Sequence, residues 1–331
     1  MRKKPLQAPQ KQFDTVVCLE KLSSSEMYLK GGESPVPVLN EIGLSIRKGE
    51  IWGIHGGSLF EIRLLLEIIA NIKPYGSGRC RLVGLGMMRR KRIILPHVFY
   101  IGNPSMIYNN MNVLEFLMFA TAKRPGDTVE RQESIFEYLI GIGLGNISLT
   151  PANTLSKEQK AVVILLVGVL SESHLVVFNF PDYRFDDVLC GAISKMAGLI
   201  RENGRALIIG TQNGDLVEMA CTHIGFLRGG HIFYSGPVRE FCETYDKILL
   251  TIWDKDVKLW ADRLKAAFPQ YRYIISDDSM TIRSCSSAEN DPKRIYGKIV
   301  ESGFYPQKLA INPKKVENAC KELMSIYDIQ E

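Results

Sequence analysis

The residues best placed to do chemistry lie in Gly49–Ile72, GEIWGIHGGSLFEIRLLLEIIANI. An apolar strand, Ile51–Ile54, runs into a glycine turn, and the turn opens into an apolar helix from about Ile62 to Ile72. A strand, a glycine loop and a helix in succession form the layout of a phosphate-binding loop, in which backbone N–H groups face the anion. In the frame G-x-x-x-x-G-K-S/T, Gly56 takes the first place. The second glycine is replaced by Glu61, the lysine by Ile62 and the Ser/Thr by Arg63. A working loop needs the lysine as counter-charge for the outer phosphates and the hydroxyl as a magnesium ligand. The frame is present and these groups are missing. Glu61 is open to two readings. Its carboxylate fills the anion site from within, or it is a solvated acid in the first helical turn, worth about 0.3–1 kcal/mol against the helix dipole.

The same stretch resembles the start of an ATP-binding-cassette (ABC) nucleotide-binding domain. Val38–Gly49, VLNEIGLSIRKG, and Lys73–Gly78, KPYGSG, are similar to that family's phrases on either side of the loop and its helix, and the likeness extends over about residues 13–245. The remaining site positions are implied by this resemblance. Tyr28 is the candidate for the aromatic residue that stacks on adenine, against an ordinary packing tyrosine. Asn103 takes the glutamine position of the Q-loop, either as a weaker ligand or as a cap on the Pro104 turn. In Asn153–Val169, Ser156 and Gln159 match the signature LSGGQ, while Lys157 and Glu158 replace its glycines. Ser156 can face a γ-phosphate held by an opposite subunit, or can simply cap a helix with Gln159 three residues on. In Leu175–Asp187, LVVFNFPDYRFDD, Asn179 replaces the Walker B aspartate that holds magnesium and Phe180 replaces the catalytic glutamate. Phenylalanine cannot accept a proton or position a water. Asp186 matches the D-loop aspartate, and Gln212 takes the place of the switch histidine.

The elements that must position these groups are readable as well. Strands are predicted at Phe13–Leu22, Val38–Ile46, Arg79–Val83, Phe99–Ile101 and Leu207–Gln212, with a glycine-turn hairpin over Thr222–Gly236. Apolar spacing predicts helix from Leu114 to Leu144. A helical subdomain at about 104–160 follows from the resemblance, and in transporters it contacts the membrane subunit. Beyond residue 245 the order is strand Lys247–Trp253, helix Asp254–Phe268, strands Arg272–Ile275 and Met280–Arg283, helix Pro292–Ser302 and strand Leu309–Asn312. A final helix, Pro313–Tyr327, is predicted with Asn312 at its entry. This βαββαβ order is that of a ferredoxin-like split βαβ unit, and it resembles, more loosely, C-terminal extensions on exporter ATPases. Trp253 and Trp260 read as core or domain-interface residues.

The 331 residues allow one large and one smaller domain. Seven cysteines, at 18, 80, 190, 221, 242, 285 and 320, include no C-x-x-C pair, which argues against a zinc site or a disulfide framework. The longest apolar run, Ala161–Leu170, is half of the roughly 20 residues that a membrane span needs. Net charge is +5, with basic clusters at Arg2–Lys4 and Arg89–Arg92. No aromatic residues interleave them, so a nucleic-acid platform is not expected.

The expected fold is α/β: a P-loop NTPase-like ABC cassette with a mixed sheet and a helical subdomain, followed by a small ferredoxin-like α+β domain. The expected boundaries are a disordered basic tail at 1–12, the cassette at 13–245 and the accessory domain at 246–331. The expected function is a catalytically inactive cassette subunit of an exporter. It would pair with an ATP-hydrolysing subunit and dock on a transmembrane permease subunit at the inner face of the cell membrane. A soluble regulatory or scaffold module is the alternative. An enzyme with rewired ATP chemistry, drawing on Glu61, Glu158 or Asp182, is a third. At most weak ATP binding and no metal are expected.

Overall fold

The computed structural model describes residues 14–28, 34–86, 95–123, 126–285, 292–301, 303 and 305–328. The tail 1–12 and both basic clusters lie outside the described residues. The chain divides into two compact units between Gly236 and Pro237. This is earlier than the expected boundary at 245/246, because the helix Val238–Tyr245 buries Phe241 and Cys242 within the second unit.

In chain order the larger unit runs β1 (Thr15–Ser24), β2 (Met27–Tyr28), β3 (Val36–Pro37), β4 (Ile42–Arg47), β5 (Ile51–Gly56), α1 (Leu59–Ile69), β6 (Tyr75–Leu82), β7 (Leu85–Gly86) and β8 (Val98–Ile101). It continues with α2 (Val113–Ala120), α3 (Thr128–Ile142), α4 (Lys157–Leu170), β9 (Leu175–Asn179), α5 (Asp187–Glu202), β10 (Ala206–Gly210), α6 (Gly214–Ala220), β11 (His223–Arg228) and β12 (His231–Pro237). The predicted helix Leu114–Leu144 is therefore two helices, α2 and α3. Asn112 closes a capping box at the start of α2, and Asp127 caps α3. Val38 and Leu39 are buried but lie ahead of β4, which begins only at Ile42.

One sheet is antiparallel, in the order β4-β1-β6-β7. A second has the order β12-β11-β5-β10-β9-β8, with its members from β11 to β8 parallel, and β2 and β3 form a separate antiparallel pair. Successive side chains of a strand point to opposite faces, and the core follows that alternation. Ile51, Val176, Phe178, Leu207 and Ile209 pack on one face with α4, α5 and the helices of the subdomain. Trp52, Ile54, Val177, Ile208 and Leu227 pack on the other with α1 and the antiparallel sheet. Strands covered on both faces read as continuous apolar runs, as Leu175–Phe178 does. At the C-terminus of α4, where carbonyls lack helical partners, Arg205 supplies the donors. Its Nη2 donates to the Gly168 carbonyl at 2.7 Å, its Nη1 to that of Val169 at 2.7 Å and its Nε to that of Ser173 at 2.6 Å.

The second unit contains α7 (Val238–Tyr245), β13 (Ile248–Trp253), α8 (Val257–Ala267), β14 (Tyr271–Ile275), β15 (Ser279–Ser284), α9 (Pro292–Glu301), β16 (Lys308–Ile311) and α10 (Val316–Asp328). Its sheet has the order β14-β15-β13-β16, antiparallel throughout, which is the split βαβ arrangement read from the sequence. Leu250, Ile252, Met280 and Ile282 form its core with Val257, Ala261 and Leu264 of α8 and with Ile295 and Ile299 of α9. Trp260 packs against this core, and the Lys308 ammonium lies 4.9 Å over the Trp253 ring. The last helix begins at Val316, later than predicted. Asn312 does not cap it; its amide donates to Thr251 Oγ1 at 2.6 Å. Buried Asp246 holds that approach, accepting from the N–H groups of Ile248 at 2.9 Å and Lys315 at 2.8 Å.

Candidate functional site

The helix that would follow a phosphate loop starts at Leu59, within the span that the motif reserves for the loop itself. Ser58 is its N-cap, accepting from the Glu61 N–H at 3.3 Å, and the Ile62 N–H bonds to the Ser58 carbonyl at 3.2 Å. The sequence expectation of a start near Ile62 is corrected by one helical turn. That turn consumes amides which an open loop would present to an anion. Gly56 is a glycine for a packing reason: a Cβ there would lie 1.7 Å from the Leu227 carbonyl oxygen of β11. Gln212, at the switch position, donates from Nε2 to the Gly56 carbonyl at 3.2 Å and so helps to pin the turn.

Ile62 does not reach toward a ligand. It is 0% exposed, and a Cβ added at Gly210 in β10 would meet its Cγ2 at 3.0 Å. The position that carries a lysine in a working loop is thus part of the core between α1 and the main sheet.

Glu61 is only 3% exposed, which removes the reading of a solvated first-turn acid. Its carboxylate accepts from the backbone N–H of Gly230, in the β11–β12 turn, and from Tyr28 Oη at 3.3 Å. These partners are not loop amides, so the reading of a carboxylate held by the loop in place of phosphate is also corrected. Oε2 of Glu61 is buried without a hydrogen-bond partner. Burial raises the Glu61 pKa above the usual carboxylate range, opposed by the Gly230 and Tyr28 hydrogen bonds. Burial and the nearby carboxylate raise that of the Tyr28 hydroxyl. Tyr28, the adenine-stacking candidate, remains partly exposed while its hydroxyl is committed to Glu61.

Asn179 ends β9 and is 2% exposed. Its Nδ2 donates to the Arg63 carbonyl at 3.2 Å and to Tyr100 Oη at 3.0 Å, while Oδ1 is buried without a partner. Phe180 is buried in an aromatic cluster, with ring centroids 5.0 Å from Phe178 and 4.7 Å from Tyr183. Phe185 joins it, 5.7 Å from Phe178. Arg63, at the hydroxyl position, sends its guanidinium across to Asp182, 2.7 Å from the carboxylate. This pair ties α1 directly to the segment after β9.

The polar residues that match the family pattern are used as caps. Ser156 and Gln159 form a reciprocal capping box at the start of α4, with distances of 3.1 and 2.9 Å. Asp186 caps α5, accepting from the Leu189 N–H at 2.8 Å. Asn103 caps the short turn Pro104–Met106 through the Ser105 N–H at 2.9 Å. Lys157 lies 4.7 Å over the Tyr183 ring. The three carboxylates considered for a rewired reaction have separate local partners: Glu61 meets Tyr28, Asp182 meets Arg63, and Glu158 lies 3.8 Å from Lys157. The pairings of Arg63 with Asp182 and of Tyr28 with Glu61 were not legible in the sequence, since 119 and 33 residues separate the partners. The early helix start did carry a signal: Ser58-Leu59-Phe60-Glu61 is an S-x-x-E pattern ahead of an apolar run.

The fold around these residues is similar to that of solved structures. A dimeric ATP-binding cassette in a post-hydrolysis state bound to ADP and Pi aligns with a TM-score of 0.56 at 17% identity, over 67% of this chain and 99% of that one. CbiO1 from Clostridium perfringens, part of an ABC transporter complex, aligns at 0.55 and 18% identity, over 78% of this chain and 97% of that one. In sequence, an uncharacterised ABC transporter ATP-binding protein of Methanocaldococcus jannaschii is 22% identical over 205 residues, 62% of this chain and 74% of the relative. The phosphonates import ATP-binding protein of Escherichia coli O157:H7 is 23% identical over 260 residues, 72% of this chain and 96% of the relative. No protein-family model matches the chain. The larger unit has the fold of an ABC-transporter ATP-binding cassette domain.

Proposed function

We propose that this chain is a non-hydrolysing cassette subunit of an ABC transporter, which pairs with an ATP-hydrolysing subunit and docks on a transmembrane permease subunit. The observation that carries the reading is the start of α1 at Leu59, which puts a capped helical turn in the span of the phosphate loop. Mg-ATP does not suit the residues around that turn. Ile62 offers no charge and is buried, Glu61 brings a carboxylate, and Asn179 and Phe180 supply neither a metal-binding carboxylate nor a base. Ion pairing of Arg63 with Asp182 uses the one cation that the helix start adds among these replaced positions. Intrinsic hydrolysis is therefore not expected, and any residual nucleotide contact would be weak stacking on Tyr28.

Pairing and docking rest on the relatives. They are named as transporter ATP-binding proteins, and no helix among the described residues is long and apolar enough to cross a membrane. The exporter assignment draws only on the resemblance of the second unit. The named relatives include import proteins for methionine, phosphonates and nickel, which lend it no support.

Calorimetric titration of Mg-ATP into the purified chain and into an Asp182→Ala variant tests the reading. No binding heat up to millimolar nucleotide is expected in either. Micromolar binding by the wild-type chain would overturn it. Binding by Asp182→Ala alone would show that the ion pair, rather than the helical turn, excludes nucleotide.

A further inference from the structure

The sheet of the second unit has two edges, and they differ. β16, Lys308-Leu309-Ala310-Ile311, is one residue shorter than β14, and its lysine ammonium lies over the Trp253 ring. β14, Tyr271-Arg272-Tyr273-Ile274-Ile275, is apolar but for one arginine, contains no proline, and pairs with β15 without a register shift. Among the described residues no strand lies on its outer side.

The hairpin fixes which backbone groups face outward. The Ser276 N–H bonds to the Ser279 carbonyl at 2.8 Å across the Asp277-Asp278 turn. Hydrogen-bonded and non-hydrogen-bonded pairs alternate along an antiparallel ladder. Ile274 and Arg272 therefore direct their backbone groups toward β15, and Tyr273 and Ile275 direct theirs away from the sheet. On the side-chain faces, Tyr273 and Ile275 pack on the core under α8, where the Tyr273 hydroxyl donates to the Phe268 carbonyl at 2.9 Å. Arg272 and Ile274 point from the opposite face, and Ile274 is 50% exposed.

We propose that β14 pairs antiparallel with β14 of a second copy of this chain, about a two-fold axis at Tyr273, joining two four-stranded sheets into one. An isologous contact must be complementary to itself, and this register is. The outward groups of Tyr273 meet those of the partner's Tyr273. Arg272 falls opposite the partner's Ile274 instead of opposite a second arginine, so no like charges are opposed. A one-residue slip would place inward-facing backbone groups against outward-facing ones and lose the ladder.

The experiment is sedimentation equilibrium of the full-length chain, from low micromolar to its solubility limit, for the wild type, Ile274→Lys, Ile274→Glu and the double variant Arg272→Glu/Ile274→Lys. Thermal melts of each variant establish that it is folded. The wild type should form a dimer. Ile274→Lys sets two like-charge pairs against Arg272 and should weaken the dimer roughly tenfold. Ile274→Glu sets two opposite-charge pairs and should bind at least as tightly as the wild type. The double variant should recover wild-type affinity. A monomer at all concentrations, a dimer indifferent to Ile274→Lys, or equal weakening by lysine and glutamate would each overturn the proposal.

Discussion

The two groups of residues that make up the candidate site, here its two halves, differ in kind. The half built from the loop and β9 has been filled: Ile62 and Phe180 are buried among apolar neighbours, and Glu61 and Asn179 are buried and hydrogen-bonded to other segments. The half built from Ser156, Gln159 and Asp186 keeps its polar side chains and turns them to local use as helix caps. The site positions thus take two physical forms. A filled position contributes to stability and resists reversal, whereas a cap is a polar group still at the surface, committed by only one or two hydrogen bonds.

The largest effect is expected from breaking the filled half. Phe180→Glu, which introduces the residue type of a catalytic base, removes an aromatic from the Phe178–Tyr183–Phe185 cluster and buries a charge in its place. A loss of roughly 3–5 kcal/mol or more is expected, read as a lower denaturation midpoint of the larger unit, with no gain of ATPase activity. A folded, hydrolysing variant would remove the distinction between the halves.

A smaller effect is expected in the other half. Ser156→Ala removes one capping acceptor and should cost about 1 kcal/mol, with the cost confined to Ala and largely recovered by Asp at the same position. A cost of several kcal/mol would mean that Ser156 is built into the core as Ile62 is.

The smallest effect sharpens the contrast through pH. The Glu61 pKa is raised by burial, so in the window between its unfolded and folded values the native state binds the extra proton. Stability from this group therefore falls as pH rises through that window and stays low above it. Glu61→Gln should remove this slope, giving a small upward shift in Tm at neutral pH and none at acid pH. A Tm gap that does not change with pH would show that the pKa of Glu61 is the same in the folded and unfolded states.

Much of the frame was legible because it is written in local patterns. Leu175–Phe178 and Ala206–Ile209 are continuous apolar runs that only a sheet covered on both faces requires, and the glycine pair at 229–230 sits at positive φ in the hairpin turn. The βαββαβ order of the second unit was legible from alternating periods. What the sequence hid depends on distant partners. Glu61 looks like a first-turn acid until Gly230 and Tyr28 are brought to it, and Arg63 looks free until Asp182 faces it. The boundary at Gly236 was missed because α7 is as amphipathic as any cassette helix, and only its packing within the second unit assigns it there.

The guanidinium of Arg205 has a consequence for motion. Helix ends usually fray, and their amides exchange with solvent through small local openings. Here three carbonyls around the end of α4 share one planar side chain that is anchored on the residue just ahead of β10, so opening the last turn breaks its hold on the approach to that strand as well. Amides of that turn should therefore exchange in step with those of β10, as one cooperative block within the hydrogen-exchange pattern.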